Sequence, residues 1–466
     1  MSVALGLYHK LPPPLRSVVA SSRGFYLRWW RYDSESERLV EEAQARDYWS
    51  AEQWAAWRSA AISKLLERAV YNSPHYSALV RRDAFDWRSI ANWPVLEKSV
   101  LRANTRTFVA DDCNPSRMFH DHTSGTTGSS LDIWLTRETV KRWYALFEAR
   151  ARRWYGVSRH DRWAILGGQV VVPSRQQKPP FWVWNAGLNQ LYLSAYHLSP
   201  ALIDSYLDAL ARYRVKYLLG YPSAMYQLAL GASRSGRRDI QLTVAVTNAE
   251  PVYEYQRAAI SEAFGCPVRE TYGMAEIAAA ASECEKGSLH QWPEVGMIEV
   301  EDAGTDGSGE LICTGLLNVD MPLIRYRVGD RGTLSNRECE CGRKLPVIEK
   351  IDGRNDDVLF TETGRAVGRL DPIFKGGLAI QEAQIIQNSF SNILVKFVPD
   401  DGFGAKQTAI LKDRIRERLG DVSVELEAVD SIPRTSRGKF RAVICNLPVE
   451  LRRELENGRA AAGESD

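Results

Sequence analysis

The chain has 466 residues, with 60 Lys and Arg against 58 Asp and Glu and a formal net charge of +2. This balance provides no overall field that would attract nucleic acid, so we expect no nucleic-acid partner. Hydrophobic residues make up 44% and charged residues 25%, which excludes a disordered chain and is typical of a folded globular protein. The length fits two or three folding units.

Seven cysteines are spread through the chain, and this odd number argues against a disulfide framework. The same usage indicates a reducing compartment. The sequence contains no run of about 18 apolar residues and no signal-peptide core at its N-terminus. We therefore expect a cytoplasmic protein.

Residues 15–31 alternate arginines with aromatic side chains, a pattern that an interfacial helix on a membrane could use. The competing interpretation is a helix packed on the body of the protein. Aromatic side chains usually indicate burial, so the packed helix is the favoured prediction. The pattern is carried by Arg16, Arg23, Arg28 and Arg31 together with Phe25, Tyr26, Leu27, Trp29 and Trp30.

The next segment, from residue 34 to about 80, is polar and has apolar residues at helical spacing, which predicts a helical N-terminal section. Beyond it, short apolar runs alternate with amphipathic stretches. This alternation predicts an α/β fold with a mostly parallel sheet. The predicted strands are 131–135, 163–166, 217–219 and 242–246, and the predicted helices are 199–213 and 252–264.

Beyond residue 293 the pattern becomes β-rich with tight turns, and we expect a second, antiparallel layer there. The last part reads as a small α+β domain, with a strand at 393–398, a helix at 408–419 and a strand at 422–426. We predict three parts. Residues 1–95 form a helical section of the large domain, residues 96–353 form its core with a β-rich subdomain, and residues 354–466 form a small mobile C-terminal lid.

One loop is unusually rich in glycine and hydroxyl side chains. Glycines let backbone amides approach an anion closely, and hydroxyls add donors, so the loop suits a phosphate cradle. The alternative is a surface turn of similar composition. The chain has no Gly-Lys-Ser/Thr sequence and no Gly-x-Ser-x-Gly elbow, which argues against a P-loop enzyme and a serine hydrolase. The loop consists of Thr123, Ser124, Gly125, Thr126, Thr127 and Gly128.

This loop resembles the phosphate loop of the acyl-adenylate-forming superfamily, and five further segments resemble the family's motifs in the same order. Within the superfamily, the sequences of residues 321–327, 220–223 and 179–182 are most similar to those of phenylacetate-CoA ligases and CapK-type proteins of capsule biosynthesis. The five segments are Asn248-Ala249-Glu250-Pro251, 271–276, 326–330, 353–357 and 437–441.

The resemblance implies a set of roles. The loop would bind the β- and γ-phosphates of ATP, and Glu276 would hold Mg²⁺. Tyr272, followed by Gly273, would stack on adenine, with residues 248–251 lining its other side. Asp330 would accept both ribose hydroxyls, and Arg354 would fix the ribose and phosphate end. Lys439 would bridge the substrate carboxylate and the α-phosphate, which is the catalytic role.

Two further features follow from the resemblance. Asp356 falls where the family places a hinge between its large and small domains, and the alternative is an exposed linker residue. Many members carry a lysine after the phosphate loop, whereas this chain has Ser129 and Ser130. Phosphate binding would then depend on amides and hydroxyls.

Three cysteines and a histidine form a second group of chemical interest. Two ligands are local and two are distant, a fair pattern for a closed structural zinc site in a β-rich subdomain. The alternative is free cysteines in turns, since Cys-x-Cys is an unusual zinc pairing. The four residues are Cys284, His290, Cys339 and Cys341.

The acyl pocket is predicted between the phosphate loop and Glu276. Its aromatic content favours a bulky or aryl acid, although aromatic side chains also fill cores. The candidate residues are Trp163, Gly168, Gln169, Phe181, Trp182, Tyr196, Gly220 and Tyr221.

These features predict an AMP-forming carboxylate ligase that uses ATP and Mg²⁺ and transfers the acyl group to a nucleophile. The resemblance implies CoA as the default acceptor. An amine of a sugar or small molecule is the alternative, giving an amide. A non-catalytic relative that binds nucleotide or an acyl ligand is the competing hypothesis of another class.

Overall fold

The structure is a computed structural model. It describes residues 3–122, 131–173, 176–198, 201–305, 307–354, 359–361, 366–367, 370, 373, 378–434, 440–448 and 450–451.

The chain separates into two compact units, and the division at residues 95 and 353 stays a prediction. The first unit comprises Met1–Glu301, Leu311–Val328 and Thr333–Lys350, and the second comprises Asp302–Glu310, Gly329–Gly332 and Ile351–Asp466.

The N-terminal section of the first unit is helical, as predicted. Ser50 accepts a hydrogen bond from the Gln53 backbone and Gln53 returns one, so this capping box fixes where the fourth helix begins. Prolines begin the second and fifth helices, where their missing N–H costs nothing. The helices are α1 Val3–Lys10, α2 Pro13–Arg31, α3 Ser36–Arg46, α4 Ala51–Asn72, α5 Pro74–Asp83 and α6 Lys98–Ala103.

Two short antiparallel strands, β1 (Phe119–His122) and β2 (Asp132–Leu135), follow this section. Their register pairs His122 with Asp132. The next helix, α7 (Arg137–Ala151), begins after Thr136, whose hydroxyl accepts from the Thr139 backbone.

Among the described residues, twelve strands form one sheet in the order β11-β12-β13-β14-β10-β9-β8-β7-β6-β3-β5-β4. The pairs β8–β7, β7–β6, β6–β3 and β3–β5 are parallel, as the sequence predicts. The strands are β3 Trp163–Gly167, β4 Trp182–Asn185, β5 Gln190–Ser194, β6 Tyr217–Gly220, β7 Val244–Thr247, β8 Val268–Gly273, β9 Ala280–Glu283, β10 Leu289–Gln291, β11 Gly296–Glu301, β12 Gly309–Gly315, β13 Tyr326–Ser335 and β14 Val347–Arg354.

Helices α8 (Ile203–Arg212), α9 (Pro222–Arg234) and α10 (Glu254–Phe264) connect or flank the parallel strands. In α8, Ile203 and Leu210 belong to an apolar stripe at spacing i, i+3, i+4 and i+7, and all four of its side chains are buried. This stripe packs into the same core as the buried strand residues.

The β-rich segment beyond residue 293 pairs antiparallel where β14 joins β10, as expected, but it does not form a separate sheet. Strand β9 pairs antiparallel with β8, with Tyr272 opposite Ala281, so the β-rich segment continues the same sheet. The physical reason is that β8 has two edges, and β7 occupies only one of them.

In the second unit, β17 (Ile380–Ser389) and β18 (Asn392–Pro399) form an antiparallel hairpin. Strand β19 (Ser423–Ala428) pairs parallel with β18, and β20 (Val443–Cys445) pairs parallel with β17. The predicted strands and helix of this part are confirmed within a few residues. The remaining elements are β15 Leu359–Phe360, β16 Ala366–Val367 and α11 Ala405–Leu419.

Helix α2 packs against the rest of the first unit, as favoured, and its Trp30 is half-buried against Phe119, but three other aromatic side chains face solvent. Gly24 lies so close to Asn185 that an added Cβ would be 1.7 Å from the amide oxygen. Phe25, Tyr26 and Trp29 are exposed, which corrects the expectation that their presence indicates burial. Over the described residues, no helix combines the length and apolar character needed to cross a membrane.

Candidate functional site

Three parallel strands of the first unit end at one edge of the sheet, and predicted site residues follow each of them. Gly168 and Gln169 follow β3, Tyr221 follows β6, and residues 248–251 follow β7. The Tyr221 N–H donates to Leu166 O at 3.2 Å, and the Asn248 N–H donates to Gly220 O at 3.0 Å. The carboxyl ends of parallel strands are where ligands bind in such sheets.

Gly220 is required at this edge. Its φ is +154°, and a Cβ would lie 2.1 Å from the backbone oxygen of Leu166. A side chain would push β6 away from β3, so glycine keeps the two strand ends together.

The turn after β7 is fixed by a helix. Ala249 has a φ of +64°, and Glu250 Oε2 accepts from the Ser223 N–H at 3.2 Å in the first turn of α9. A carboxylate is favourable at a helix N-terminus because the free amides carry partial positive charge. Glu250 therefore holds the turn against α9.

Two buried polar atoms at this edge have no hydrogen-bond partner among the described residues. They are Asn248 Oδ1 and Ser223 Oγ. Buried polar groups are nearly always paired in folded proteins, so such atoms fit a ligand that donates to them. The amino group of adenine has this chemistry, and the residues present therefore fit the ATP that the sequence implies.

Glu276, which follows β8, is 6% exposed and carries two contacts on one oxygen. Its Oε1 is 3.2 Å from the Lys98 ammonium and accepts from the Tyr326 hydroxyl at 3.1 Å. One carboxylate among few protein ligands fits Mg²⁺, which keeps waters and substrate phosphates as its other ligands.

Tyr272 and Gly273 lie at the end of β8, where Tyr272 is half-buried. On the same strand, burial and the neighbouring Glu283 carboxylate raise the pKa of Glu270 to about 7, although Arg257 opposes the shift. The Glu270 backbone N–H donates to Glu283 Oε2 at 2.9 Å.

The aromatic residues predicted to line the acyl pocket differ in how deeply they are buried. Phe181 is fully buried, with its ring 4.9 Å from that of His197 and 5.9 Å from that of Tyr206. Trp163 stacks on Tyr217 at 5.7 Å and donates through Nε1 to Leu188 O. Trp182 and Tyr221 are half-buried. Pocket membership of these residues stays a prediction, and the Tyr196 side chain lies outside the described part.

In the second unit, Asp330 lies half-buried on β13, directly after Gly329, whose φ is +84°. Arg354 is the last residue of β14. Several predicted site residues lie outside the described ranges. They are Asp356, predicted as a hinge, Lys439, predicted as catalytic, and the predicted phosphate loop Thr123, Ser124, Gly125, Thr126, Thr127 and Gly128.

The residues on either side of the Lys439 segment are held in place. Arg434 forms an ion pair with Glu382, which is 7% exposed, and its guanidinium carbon lies 4.6 Å from the centre of the Phe440 ring. Arg434 therefore fixes the residues that precede and follow 435–439.

The four predicted zinc ligands come together. Cys284 lies in a tight turn after β9, His290 is on β10, and Cys339 and Cys341 lie between β13 and β14. Their ligand atoms all lie within 4.8 Å of one another. Strand pairing of β10 with both β9 and β14 produces this arrangement.

The distances in this cluster suit a tetrahedral ion. Cys284 Sγ is 3.6 Å from Cys339 Sγ, and Cys341 Sγ is 3.3 Å from His290 Nε2. Tetrahedral zinc with bonds of about 2.3 Å places two sulfurs about 3.8 Å apart. His290 Nδ1 lies 3.2 Å from Leu345 O, a contact that directs Nε2 toward the sulfurs.

Sequence reasoning missed Lys98. It begins α6, 178 residues before Glu276, and a single lysine in a polar segment is ordinarily solvated. Tyr326 lies in one of the recognised segments, but its contact with Glu276 is visible only in the fold.

Comparisons with known proteins show what the chain is similar to. Residues 359–446 match the model of the CapK C-terminal domain. The chain is 28% identical to Protein CapK of Staphylococcus aureus over 395 residues, which covers 81% of the chain and 86% of that protein. It is 26% identical to the phenylacetate-coenzyme A ligase of Aromatoleum evansii over 319 residues, or 63% and 69% of the two chains.

Among solved structures, a 2-hydroxyisobutyryl-CoA ligase in complex with 2-HIB-AMP matches with a TM-score of 0.68 and 21% identity. The match covers 89% of this chain and 94% of that one. This likeness shows the fold.

The sequence relatives and the fold together support similarity to the acyl-adenylate-forming superfamily, a group of AMP-forming acid ligases. Within that superfamily the similarity is to CapK-type proteins, because the matched C-terminal domain and the relative from S. aureus are both of that type.

Proposed function

We propose that the chain activates a carboxylic acid as an acyl-AMP and transfers the acyl group to the thiol of CoA. The observation that carries this proposal is the buried Glu276 carboxylate with Lys98 and Tyr326 on one oxygen. A carboxylate kept in a buried, polar setting suits a metal–phosphate group better than a structural ion pair at a surface.

The first step joins two anions. A carboxylate oxygen of the acid attacks the α-phosphorus of ATP, and the bond to pyrophosphate breaks. Mg²⁺, when bound, supplies charge neutralisation to the phosphate oxygens. Glu276 would hold it, Asn248 and Ser223 would accept from the base, and Lys439 would lie between the two anions.

The second step consumes the acyl-AMP. The CoA sulfur attacks the acyl carbonyl, the thiol proton passes to solvent, and AMP leaves. CoA is the proposed acceptor because the phenylacetate-coenzyme A ligase relative carries that acceptor in its name. A bulky or aryl acid is the proposed substrate class, since Trp182 and Tyr221 are half-buried near the strand ends.

Pyrophosphate exchange with a panel of acids tests the first step. Wild type should exchange label only with a suitable acid, and Lys439→Ala should lower exchange by about two orders of magnitude or more. Lys406→Ala, on the exposed side of α11, is the matched control and should exchange normally. Tight ATP binding without exchange for any acid would indicate a non-catalytic nucleotide-binding protein.

The acceptor is tested separately, by adding CoA or amines to enzyme loaded with acid and ATP. Formation of a thioester supports the proposal. If the enzyme forms an amide and no thioester with CoA, the adenylation step still stands but CoA is not the acceptor.

A structural zinc ion at Cys284, His290, Cys339 and Cys341 is part of the proposal. Three thiolates and one imidazole leave no position for substrate, so the ion would stabilise the β-rich part of the first unit. Trp154 and Val347 pack against the cluster, in which Cys341 is half-buried and the other three residues are buried.

A further inference from the structure

Helix α2 presents an apolar stripe to solvent instead of to the protein. Val18, Phe25 and Trp29 are 59%, 56% and 62% exposed, and Leu15, Val19 and Tyr26 are exposed as well. With 3.6 residues per turn, these six side chains fall within about 120° of the helix circumference. An exposed stripe of this kind on a folded domain marks an interaction surface.

The opposite side of α2 is used to attach the helix. Ser17 Oγ accepts from the Trp184 N–H, and Ser21 Oγ accepts from the Ala186 N–H at 3.0 Å. Gly24 meets Gly187 so closely that a Cβ on Gly187 would be 2.2 Å from the Phe25 backbone nitrogen. The helix cannot rotate to bury its stripe without losing these contacts, so the outward orientation is built into the packing.

The charged side chains of α1 and α2 have one sign, and Asp33, which lines a groove with Phe25 and Trp29, is ion-paired with Lys141. Residues 3–32 contain five basic side chains and no acidic one. Arg23 and Arg28 are exposed and lie on opposite flanks of the stripe, about 40° and 60° beyond its edges. Lys10, at the end of α1, is exposed as well. Arginines beside an apolar stripe place their charged ends at the level of lipid headgroups.

We propose that α2 docks this protein on the surface of an anionic lipid bilayer, with the stripe inserted at the level of the headgroups. Tyr and Trp favour this interfacial depth, and basic side chains are attracted to anionic lipid. A second copy of the chain fits less well, because two stripes face to face would bring Arg23, Arg28 and their counterparts together with no acidic partner from residues 3–32. The proposal is independent of the reaction proposed above.

Vesicle co-sedimentation of the full chain tests the proposal. One set of vesicles is phosphatidylcholine with about one third phosphatidylglycerol, and the other is phosphatidylcholine alone. Wild type should bind the anionic vesicles about tenfold or more better, and high salt should reduce that difference.

Two variants separate the stripe from its charges. Val18→Ser/Phe25→Ser/Tyr26→Ser and Arg23→Glu/Arg28→Glu should each lower binding to anionic vesicles by about tenfold or more. The matched controls are Tyr48→Ser/Tyr71→Ser, which removes exposed aromatics elsewhere, and Arg234→Glu/Arg238→Glu, which makes the same charge change elsewhere. Both controls should bind as wild type does.

Melting temperature and acid-dependent pyrophosphate exchange in solution should be unchanged in all four variants, since α2 carries no proposed site residue. Equal binding of wild type and the stripe variant to anionic vesicles would overturn the proposal. A dimer in analytical ultracentrifugation that the stripe variant abolishes, with no vesicle binding by wild type, would also overturn it and assign the stripe to self-association.

Discussion

The Lys98 ammonium lies 3.2 Å from Oε1 of Glu276, and the carboxylate of this pair is almost fully buried. The pair joins the first residue of α6 to the segment after β8. In the absence of a metal, Lys98 satisfies the charge of Glu276. A divalent cation at Oε1 would have to share that oxygen with Lys98 or replace it, and a cation at the other oxygen would still be repelled by the Lys98 charge.

The first prediction concerns the carboxylate. Glu276→Gln keeps the shape and the hydrogen bond from Tyr326 but removes the charge that would hold Mg²⁺. We expect exchange to fall by about 10²-fold or more and the half-saturating Mg²⁺ concentration to rise. Magnesium titrations of pyrophosphate exchange measure both. Tyr326→Phe removes one donor only and should cost less, and wild-type exchange in Glu276→Gln would contradict the assigned role.

The second prediction concerns competition for that oxygen. Lys98→Met removes a cation from beside Glu276, so the local potential becomes more negative. We expect the half-saturating Mg²⁺ concentration to fall about threefold or more, whatever happens to the maximal rate. Lys64→Met, an exposed lysine of α4, is the control. An unchanged or higher magnesium requirement in Lys98→Met would show that the ion pair and the metal do not compete.

The third prediction concerns the base. Asn248→Ala removes the buried acceptor Oδ1, so the KM for ATP should rise by about tenfold. An ATP analogue without the 6-amino group should bind wild type and Asn248→Ala about equally. Asn72→Ala, far along the chain in α4, serves as the control. If wild type binds ATP and the analogue equally well, Asn248 does not accept a hydrogen bond from the 6-amino group.

The fourth prediction concerns the cysteine cluster. Elemental analysis of protein purified without chelator should give about one zinc per chain. Cys284→Ser should lose the zinc and lower the melting temperature by about 5–10 °C. Cys266→Ser changes another buried cysteine and should retain the zinc whatever its effect on melting. Zinc-free wild type with an unchanged melting temperature in chelator would exclude the site.

The fifth prediction concerns Glu270, whose pKa is raised to about 7. The folded state holds the proton more tightly than the unfolded state, so ionisation costs stability. The cost is absent below about pH 4.5, grows as the pH rises toward 7, and is complete above it. Relative to Glu270→Gln, wild type should lose up to about 3 kcal/mol across this window. Melting curves from acid to neutral pH measure it, and parallel curves for the two proteins would contradict the shift.

Local sequence was a good guide wherever local physics decides structure. The period of apolar residues in α8 predicts a buried face, and the capping residues around α4 fix its start. Short apolar runs likewise predict the strand cores of β3, β6 and β7. The residues at the ends of those strands were recognised by ordered resemblance, and the parallel topology explains why they lie at one edge.

Contacts between residues far apart in the chain could not be predicted from local sequence patterns. Periodicity shows which face of a strand is buried but not which strand lies beside it. The β-rich segment beyond residue 293 was therefore expected as a second layer, whereas β14 joins the same sheet through β10 and β9. The outward side of α2 could not be predicted either, because its sequence fits both a packed and an interfacial helix. The contacts of Ser17, Ser21 and Gly24 show which face is attached.

The sequence by itself determined the chemistry available to this protein: the ordered acidic, aromatic and hydroxyl segments, the three cysteines with one histidine, and the basic aromatic helix. The tertiary structure alone decided which of these groups meet. Strand pairing brings Cys284 to within 3.6 Å of Cys339, 55 residues away, and the placement of α6 brings Lys98 to Glu276. The physical reason is that such contacts depend on how whole strands and helices pack together, which no local pattern of residues encodes.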